Sequence, residues 1–198
     1  AQKPAAPVLP PEVFEDRLGR GIEAMRRGDF GQAVAELENA VRLKPESAKA
    51  HNYLGMAHEK LQEHDRARAS FEQAVALDPS FAAAFNNLGS LHSLEGDHGR
   101  AAELFSKAVA IAPDLPAANF NLGNALLALG RAGEAMPYLI EALKLDPNFL
   151  DSRSTLVVHT SADSLTGPET SFLYARLYAA TGNLEKTVEY LGKAKSEG

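Results

Sequence analysis

Cysteine is absent from the 198 residues of this chain. Its absence excludes a disulfide framework, a thiolate metal site and a cysteine nucleophile, whatever the redox compartment. Positive charge is also scarce, since 20 Lys and Arg stand against 26 Asp and Glu and leave a net charge of −6. Nucleic acids and anionic membrane surfaces bind clustered cations, so this balance argues against both as partners.

Long apolar runs are missing too. None approaches the roughly 20 residues that a membrane-spanning helix needs, so the sequence predicts no membrane span. We also find no phosphate-binding GxxxxGK(S/T) loop, no HExxH zinc site, no GxSxG nucleophile and no EF-hand loop. Residues 19–24 (GRGIEA) fit a loose GxGxxA dinucleotide pattern, but they open no βαβ unit. We therefore expect a protein that is not an enzyme and holds no cofactor.

The dominant feature that is present is a period of 34 residues. Prolines recur at this spacing, each after a run of helix-forming residues: Pro45, Pro79, Pro113 and Pro147. Large apolar residues precede them at a fixed distance: Leu37, Phe71, Phe105 and Leu139. Alanines flank these residues at helical spacing: Ala33, Ala67, Ala101 and Ala135 before them, and Ala40, Ala74, Ala108 and Ala142 after them. The spacing predicts an amphipathic helix with one apolar face in every unit.

Two columns of glycine complete the unit. The first lies inside a helical pattern: Gly21, Gly55, Gly89 and Gly123. Because glycine inside a helix costs about 1 kcal/mol relative to alanine, its recurrence predicts a close approach by the backbone of the partner helix. The second column lies between two helical patterns and suits a turn with positive φ: Gly28, Gly96 and Gly130, with Gln62 as the exception. Each unit therefore consists of a helix, a tight turn, a second helix and a proline.

These residues resemble the pattern of the tetratricopeptide repeat family. The match extends through segments such as NYLGMAH with ARASFEQAVALDP, and FNLGNAL with AMPYLIEALKLDP. The regular units together cover 14–149: 14–47, 48–81, 82–115 and 116–149. The resemblance implies an all-α fold, a right-handed α-solenoid of antiparallel helix hairpins. It also implies a protein that binds other proteins.

The C-terminal part departs from this regularity. A weaker fifth unit, 168–198, is obtained by placing Gly182 in the turn column, which brings Ala175 into the helical glycine column and Leu191 and Ala194 onto the second helix. Residues 150–167 form an irregular insert between the fourth and fifth units. Its first part suits either a helix stacked on the fourth unit or a short extended segment, because it is rich in β-branched residues. Its second part has the composition of a loop.

The N-terminal residues 1–13 hold four of the eleven prolines. They predict an extended or polyproline-II arm that does not join the solenoid. The sequence starts with Ala-Gln rather than Met, which is compatible with cleavage after a small residue during secretion. We therefore expect export to the periplasm or the cell exterior, with a cytoplasmic location as the alternative.

Six histidines raise the question of a metal site. His58 and His92 are one period apart, as are His64 and His98. Equivalent residues of adjacent units are separated by a whole repeat, which is too wide for two ligands at about 2.0–2.1 Å from one Zn²⁺. We therefore predict no metal site. In the family that the chain resembles, His58 and His92 stand where tyrosine is usual, which implies that they pack between helices.

The first helix of each hairpin lines a concave groove in proteins that this chain resembles. That register assigns these residues to a groove for a protein or peptide: Asn52, Tyr53, Met56, Asn86, Asn87, Ser90, Ser93, Phe120, Asn121, Asn124 and Leu127, with Arg176 as an isolated positive charge. A side-chain amide both donates and accepts hydrogen bonds, so a ladder such as Asn87 and Asn121 suits the backbone of an extended polypeptide. The alternative is that the asparagines only solvate an exposed helix face.

Two functions from different classes are compatible with these features. The first is a non-catalytic scaffold whose groove binds an extended polypeptide, with apolar anchors from Tyr53, Phe120 and Leu127. The second is a structural subunit that assembles into a homo-oligomer or a filament. A solenoid has two open ends, and the last helix presents Val188 and Leu191 without an evident cap. The N-terminal arm would then lie in the groove of a neighbouring copy.

Overall fold

The computed structural model describes residues 11–147 and 167–197. These residues form ten α-helices and include no β-strand. In chain order the helices are α1 (Pro11–Arg27), α2 (Phe30–Leu43), α3 (Ala48–Lys60), α4 (His64–Leu77), α5 (Ala82–Leu94), α6 (His98–Ile111), α7 (Pro116–Ala128), α8 (Ala132–Leu145), α9 (Gly167–Ala180) and α10 (Leu184–Glu197). The predicted all-α fold of helix hairpins is confirmed. No helix in the described ranges is long and apolar enough to cross a membrane.

Two predicted segments fall largely outside these ranges. Of the insert 150–167 only the last residue is described, so its two alternatives, helix and extended segment, both stay predictions. Of the N-terminal arm 1–13 only the last three residues are described, and these are helical rather than extended, because α1 begins at Pro11. Proline is well tolerated at the first position of a helix, where its missing N–H would have no intrahelical partner in any case.

The chain divides into two compact units, residues 1–84 and 85–198. In the first unit, α1 packs against α2 and α3 packs against α4, and α2 also packs on α3. In the second unit, α7 packs against α8 and α9 packs against α10, and α6 also packs on α7. The second unit begins within α5 and includes residues 85–94 of that helix.

The helical glycines make room for a large side chain from the second helix of the same hairpin. The contact recurs in four hairpins: Gly21 with Leu37, Gly55 with Phe71, Gly89 with Phe105, and Gly123 with Leu139. A Cβ atom on Gly123 would lie 2.5 Å from Cγ of Leu139, whereas the nearest backbone atom, the carbonyl oxygen of Ala135, would be 3.3 Å away. The prediction that a backbone causes the constraint is therefore wrong. A buried leucine or phenylalanine causes it.

The turns between the paired helices place one residue in the left-handed conformation, as predicted. φ lies between +73° and +82° at Gly28, Gly96, Gly130 and Gly182. Gln62 adopts φ of +60° in the corresponding turn, although its Cβ makes that conformation costly. Asp29 and Asp97 follow the turn glycines and cap the next helix, because their carboxylates accept hydrogen bonds from backbone N–H groups of its first turn.

Each unit has its own apolar core. In the first unit, Phe14 and Leu18 of α1 pack with Leu37 of α2 and with the small alanines of α2 and α3. In the second unit, one cluster joins α6, α7 and α8 to Leu177 and Tyr178 of α9.

The last hairpin is held together differently, by tyrosines. Tyr190 of α10 stacks on Tyr178 of α9 with ring centroids 5.5 Å apart, and it meets the ring of Tyr174 edge-on at 5.4 Å. Ala175 occupies the glycine column and is buried. Leu191, which stands in the column of Leu37 and its equivalents, is 44% exposed, and α10 contains no buried residue.

Candidate functional site

The predicted asparagine face occurs in the second unit, where a hydrogen bond joins α5 to α7. Nδ2 of Asn121 donates to Oδ1 of Asn86 at 3.0 Å. Asn124 lies three residues further along α7, on the same side of the helix as Asn121. We call Asn86, Asn121 and Asn124 the amide face. The α5 partner in this hydrogen bond is Asn86 and not Asn87, the half-buried residue that precedes Asn121 by one period.

Two polar atoms of the amide face lack a hydrogen-bond partner within the described part of the chain. They are Oδ1 of Asn121 and Nδ2 of Asn124, and both are buried. The two residues are only 6% and 8% exposed, so they do not solvate an open helix face. An unpaired buried polar atom costs about 1–3 kcal/mol. An unpaired acceptor and an unpaired donor on one side of α7 are complementary to a ligand that carries both N–H and C=O groups.

The other predicted groove residues of α5 and α7 have different surroundings. Phe120 is 3% exposed and belongs to the core cluster of the second unit, so the prediction that it forms an exposed anchor is wrong. Leu127 packs against the edge of the same cluster and is partly buried. Oγ of Ser90 donates to the backbone oxygen of Asn86 at 3.0 Å, and Ser93 is half-buried one turn further along. Leu127 is thus the apolar residue that borders the amide face.

Three predicted groove residues lie in the first unit, on α3. Asn52 is buried, and its Nδ2 lies 3.7 Å from Sδ of Met56. Met56 is half-buried. Tyr53 packs against the core of the first unit. The structure therefore brings Asn52 and Met56 together within one helix, while Tyr53 serves mainly to cover the core.

Glu59, which the repeat pattern did not single out, extends this face of α3. Burial raises the pKa of Glu59, and the nearby positive charges of Lys60 and His64 act in the opposite direction with smaller effect. The two nearby groups therefore do not offset the full cost of burying the carboxylate. A cation brought next to it would favour its charged form. The repeat register could have identified Glu59, since it stands one period before Ser93 and three residues after Met56.

A second missed residue is Phe172 on α9. Its side chain is 52% exposed, and Arg176, the predicted cation, is exposed one turn further along the same face. The alignment of the fifth unit on Gly182 places Phe172 in the column of Asn86 and Phe120. That column could have identified it.

Asn119 shows what an asparagine with a purely structural role looks like in the same helix. It is 2% exposed, and its Nδ2 donates to the backbone oxygens of Pro113 at 2.8 Å and Leu115 at 3.1 Å. Two periods earlier, Nε2 of His51 lies 2.9 Å from the backbone oxygen of Pro45. Both side chains brace the turn that follows a proline of the repeat.

His58 and His92 occupy helix packing positions. His58 is 3% exposed, and its Nδ1 lies 2.6 Å from a carboxylate oxygen of Glu63. His92 is partly buried, with Nδ1 3.8 Å from Asp97. Across the described ranges, no group of three or more histidine or carboxylate side chains is arranged to hold a metal ion.

Comparisons with known proteins identify both the repeat and the fold. Models of the tetratricopeptide repeat match residues 18–79, 57–116 and 94–157. The crystal structure of MamA protein is similar at 19% identity and a TM-score of 0.65, over 94% of this chain and 92% of that one. PilF of Pseudomonas aeruginosa is similar at 21% identity and a TM-score of 0.66, over 90% of this chain and 89% of that one.

A thermophilic protein of Thermus thermophilus with the same repeat is similar at 20% identity and a TM-score of 0.63, over 93% of this chain and 91% of that one. At these identities the similarity shows the fold alone. A comparison with curated proteins finds no significant match.

Proposed function

The chain belongs to the tetratricopeptide repeat family, and from that premise we propose that it binds an extended polypeptide through the amide face of Asn86, Asn121 and Asn124. The family and the fold support the more general statement that the chain is a scaffold for protein–protein interaction. Proteins of this family are typically non-catalytic, in agreement with the missing enzyme signatures.

The observation that supports the amide face is the pair of unpartnered buried atoms on α7. The hydrogen bond from Asn121 to Asn86 fixes which end of the Asn121 amide is occupied, and it leaves Oδ1 of Asn121 as an acceptor. Nδ2 of Asn124 is a donor on the same side of α7. Every residue of a polypeptide other than proline carries one backbone N–H and one C=O, which complement this pair whatever the side chains are.

Specificity for an extended chain follows from the spacing. Side chains three residues apart on a helix are separated by about 5–6 Å at Cβ. Amide groups carried on Cβ atoms at that spacing can reach neighbouring backbone groups of an extended strand, which rises about 3.3 Å per residue. Leu127, three residues beyond Asn124, adds an apolar contact for one side chain of the bound segment. We therefore expect recognition of the backbone with a weak preference for an apolar residue.

The test replaces the unpaired donor by an apolar side chain of similar size, Asn124→Leu. We expect the free energy of unfolding to stay constant or to rise by up to about 3 kcal/mol, because a buried unpaired donor is removed. Affinity should fall about tenfold, because one hydrogen bond to the ligand is lost. The probe is a panel of short capped peptides of varied sequence, with binding followed by fluorescence polarisation and unfolding followed in urea.

The matched control is Asn119→Leu in the same helix. It removes two hydrogen bonds that are made within the protein, so it should lower stability and leave peptide affinity unchanged. Backbone N-methylation of a bound peptide should weaken its binding to the wild-type protein. Equal affinity of the Asn124→Leu variant and the wild type would exclude the amide face as the site. Absence of binding across the whole panel would reject the polypeptide-binding function.

A second candidate function is assembly of the chain with itself. The observation that favours it is an exposed apolar stripe on α10, formed by Leu184 at 73%, Val188 at 70% and Leu191 at 44% exposure. Monomers seldom expose such contiguous apolar side chains without a partner. We expect a solution mass above 21.2 kDa by light scattering at high protein concentration. A mass of one chain at every concentration would reject this function and leave the first one standing.

A further inference from the structure

The exposed stripe of α10 defines a surface with a particular geometry. Leu184, Val188 and Leu191 follow one another at intervals of four and three residues, so they lie on one side of the helix. Lys195 continues this line four residues further on. Gly192 lies beside it with open space where a Cβ would be, so a second helix can approach closely. The stripe is thus apolar in its centre and cationic at its C-terminal end. The missing side chain of Gly192 leaves a shallow depression beside it.

The first helix of the chain presents the opposite kind of surface. Charged residues on α1 pair with one another along the helix: Arg20 with Asp16 at 3.1 Å, and Arg26 with Glu23 at 2.9 Å. A head-to-tail contact would press the apolar stripe of α10 onto these charges and remove their hydration, which is unfavourable without new partners. α1 and α10 are therefore poorly matched for a head-to-tail contact.

A second copy of α10 is a better match for the stripe. We infer that two chains associate through α10 in an antiparallel, two-fold arrangement, with Val188 of one copy opposite Leu191 of the other. The inference rests on the self-assembly proposed above. Apolar side chains then cover each other in the centre, and the contact is closed because the same surface is used by both partners.

Charge at the helix ends supports the antiparallel direction. Glu185 is exposed in the first turn of α10 and Lys195 is exposed in its last turn, and neither makes an ion pair within the described ranges. The register that places Val188 opposite Leu191 places Leu184 of one copy opposite Lys195 of the other, so Glu185, the residue after Leu184, comes near Lys195, twice by symmetry. A parallel arrangement would instead place like charges together, and the helix dipoles would be aligned unfavourably.

The expected dimer is weak. A contact limited to one helix from each chain is smaller than the roughly 1,200 Å² that stable interfaces bury, so the dimer should dissociate on dilution into the low micromolar range. The stripe is far more exposed than core residues. Substituting Val188, at 70% exposure, should therefore leave the monomer folded.

Disulfide cross-linking tests the antiparallel direction of the two α10 helices. No native cysteine competes with the introduced ones, because the sequence contains none. Leu184 and Lys195 are eleven residues apart, about 16 Å along the helix. In the antiparallel pair Leu184 meets Lys195 of the partner, so a mixture of Leu184→Cys and Lys195→Cys chains should form a mixed disulfide under mild oxidation with diamide. Neither variant alone should cross-link. Lys193→Cys, exposed but on another side of α10, is the matched control.

Mass measurements separate this inference from self-assembly in general. The wild type should reach twice the monomer mass and no more, Val188→Lys should stay monomeric, and Gln73→Lys, an exposed site on α4, should behave like the wild type. A disulfide between two Leu184→Cys chains, or a mass that grows beyond the dimer, would overturn the antiparallel pairing but keep self-assembly. A monomer at all concentrations would overturn both.

Discussion

The second helices of the regular hairpins and of the last hairpin carry the same kind of residue at the same position, yet in opposite environments. Leu139 of α8 is 1% exposed, and Leu191 of α10, in the same column, is 44% exposed. α8 buries four of its residues and α10 buries none. In a repeat protein each unit covers its neighbour, so a leucine at this position becomes core only when another element lies over it.

The first helices differ in the same way. Gly123 of α7 leaves space that Leu139 fills, whereas α9 has the buried Ala175 at that place and contacts α10 through Tyr174 and Tyr178. The glycine and the leucine therefore work as a pair. Where the leucine turns outward the glycine is no longer needed, and aromatic stacking holds the hairpin instead.

The largest effect should come from truncating the two leucines. Leu139→Ala should lower the free energy of unfolding by about 2–5 kcal/mol, because it leaves a cavity in a closed core. Leu191→Ala should cost less than about 1 kcal/mol, because the side chain is already in contact with water. Urea unfolding at a concentration where the chain is monomeric measures both. Equal losses at the two positions would show that α10 is covered in solution.

A smaller effect should follow from adding a methyl group to α1. Gly21→Ala would place a Cβ 2.5 Å from Cγ of Leu37, and we expect a loss of about 1–3 kcal/mol from overpacking. Gly19→Ala, two residues earlier, meets no atom within 4 Å and should stabilise the helix by about 0.5–1 kcal/mol. Opposite signs from thermal or urea unfolding support the glycine–leucine pair. Equal signs would contradict it.

The smallest effect concerns the turns, which are alike in both regions. Gln62→Gly should raise the free energy of unfolding by about 1 kcal/mol, because glycine adopts φ of +60° without steric cost. Gly182→Gln in the last hairpin should lower it by a similar amount, since φ there is +78°. If only Gln62→Gly changed the stability, the last turn would not contribute to the cooperative unit that unfolds.

The fold could be predicted from the sequence because residues with definite conformational requirements recur at the 34-residue period. The turn glycines, the prolines and the alanine-flanked Leu or Phe of each unit predicted helices, turns and their order. The same reasoning erred in attributing the Gly123 column to backbone contact, since periodicity shows that space is needed and not which atom fills it. It also placed Phe120 on the surface, although this phenylalanine lies in the core of the second unit.

The candidate site was predicted less completely, for a physical reason. The register of the first helix identified Asn86, Asn121 and Asn124, because position along a helix can be read from spacing. Whether an amide is paired depends on its neighbours in the fold, and Asn119, whose Nδ2 has two partners, looks the same in the sequence. The raised pKa of Glu59 likewise results from burial, which a single sequence does not specify.

The glycine–leucine contact also bears on how the chain folds. In each regular hairpin the two residues are sixteen positions apart, so every such contact closes a short loop of similar length. Short loops cost little entropy to close, and a chain rich in local contacts has a low contact order. We therefore expect rapid folding that starts within single hairpins and spreads to their neighbours.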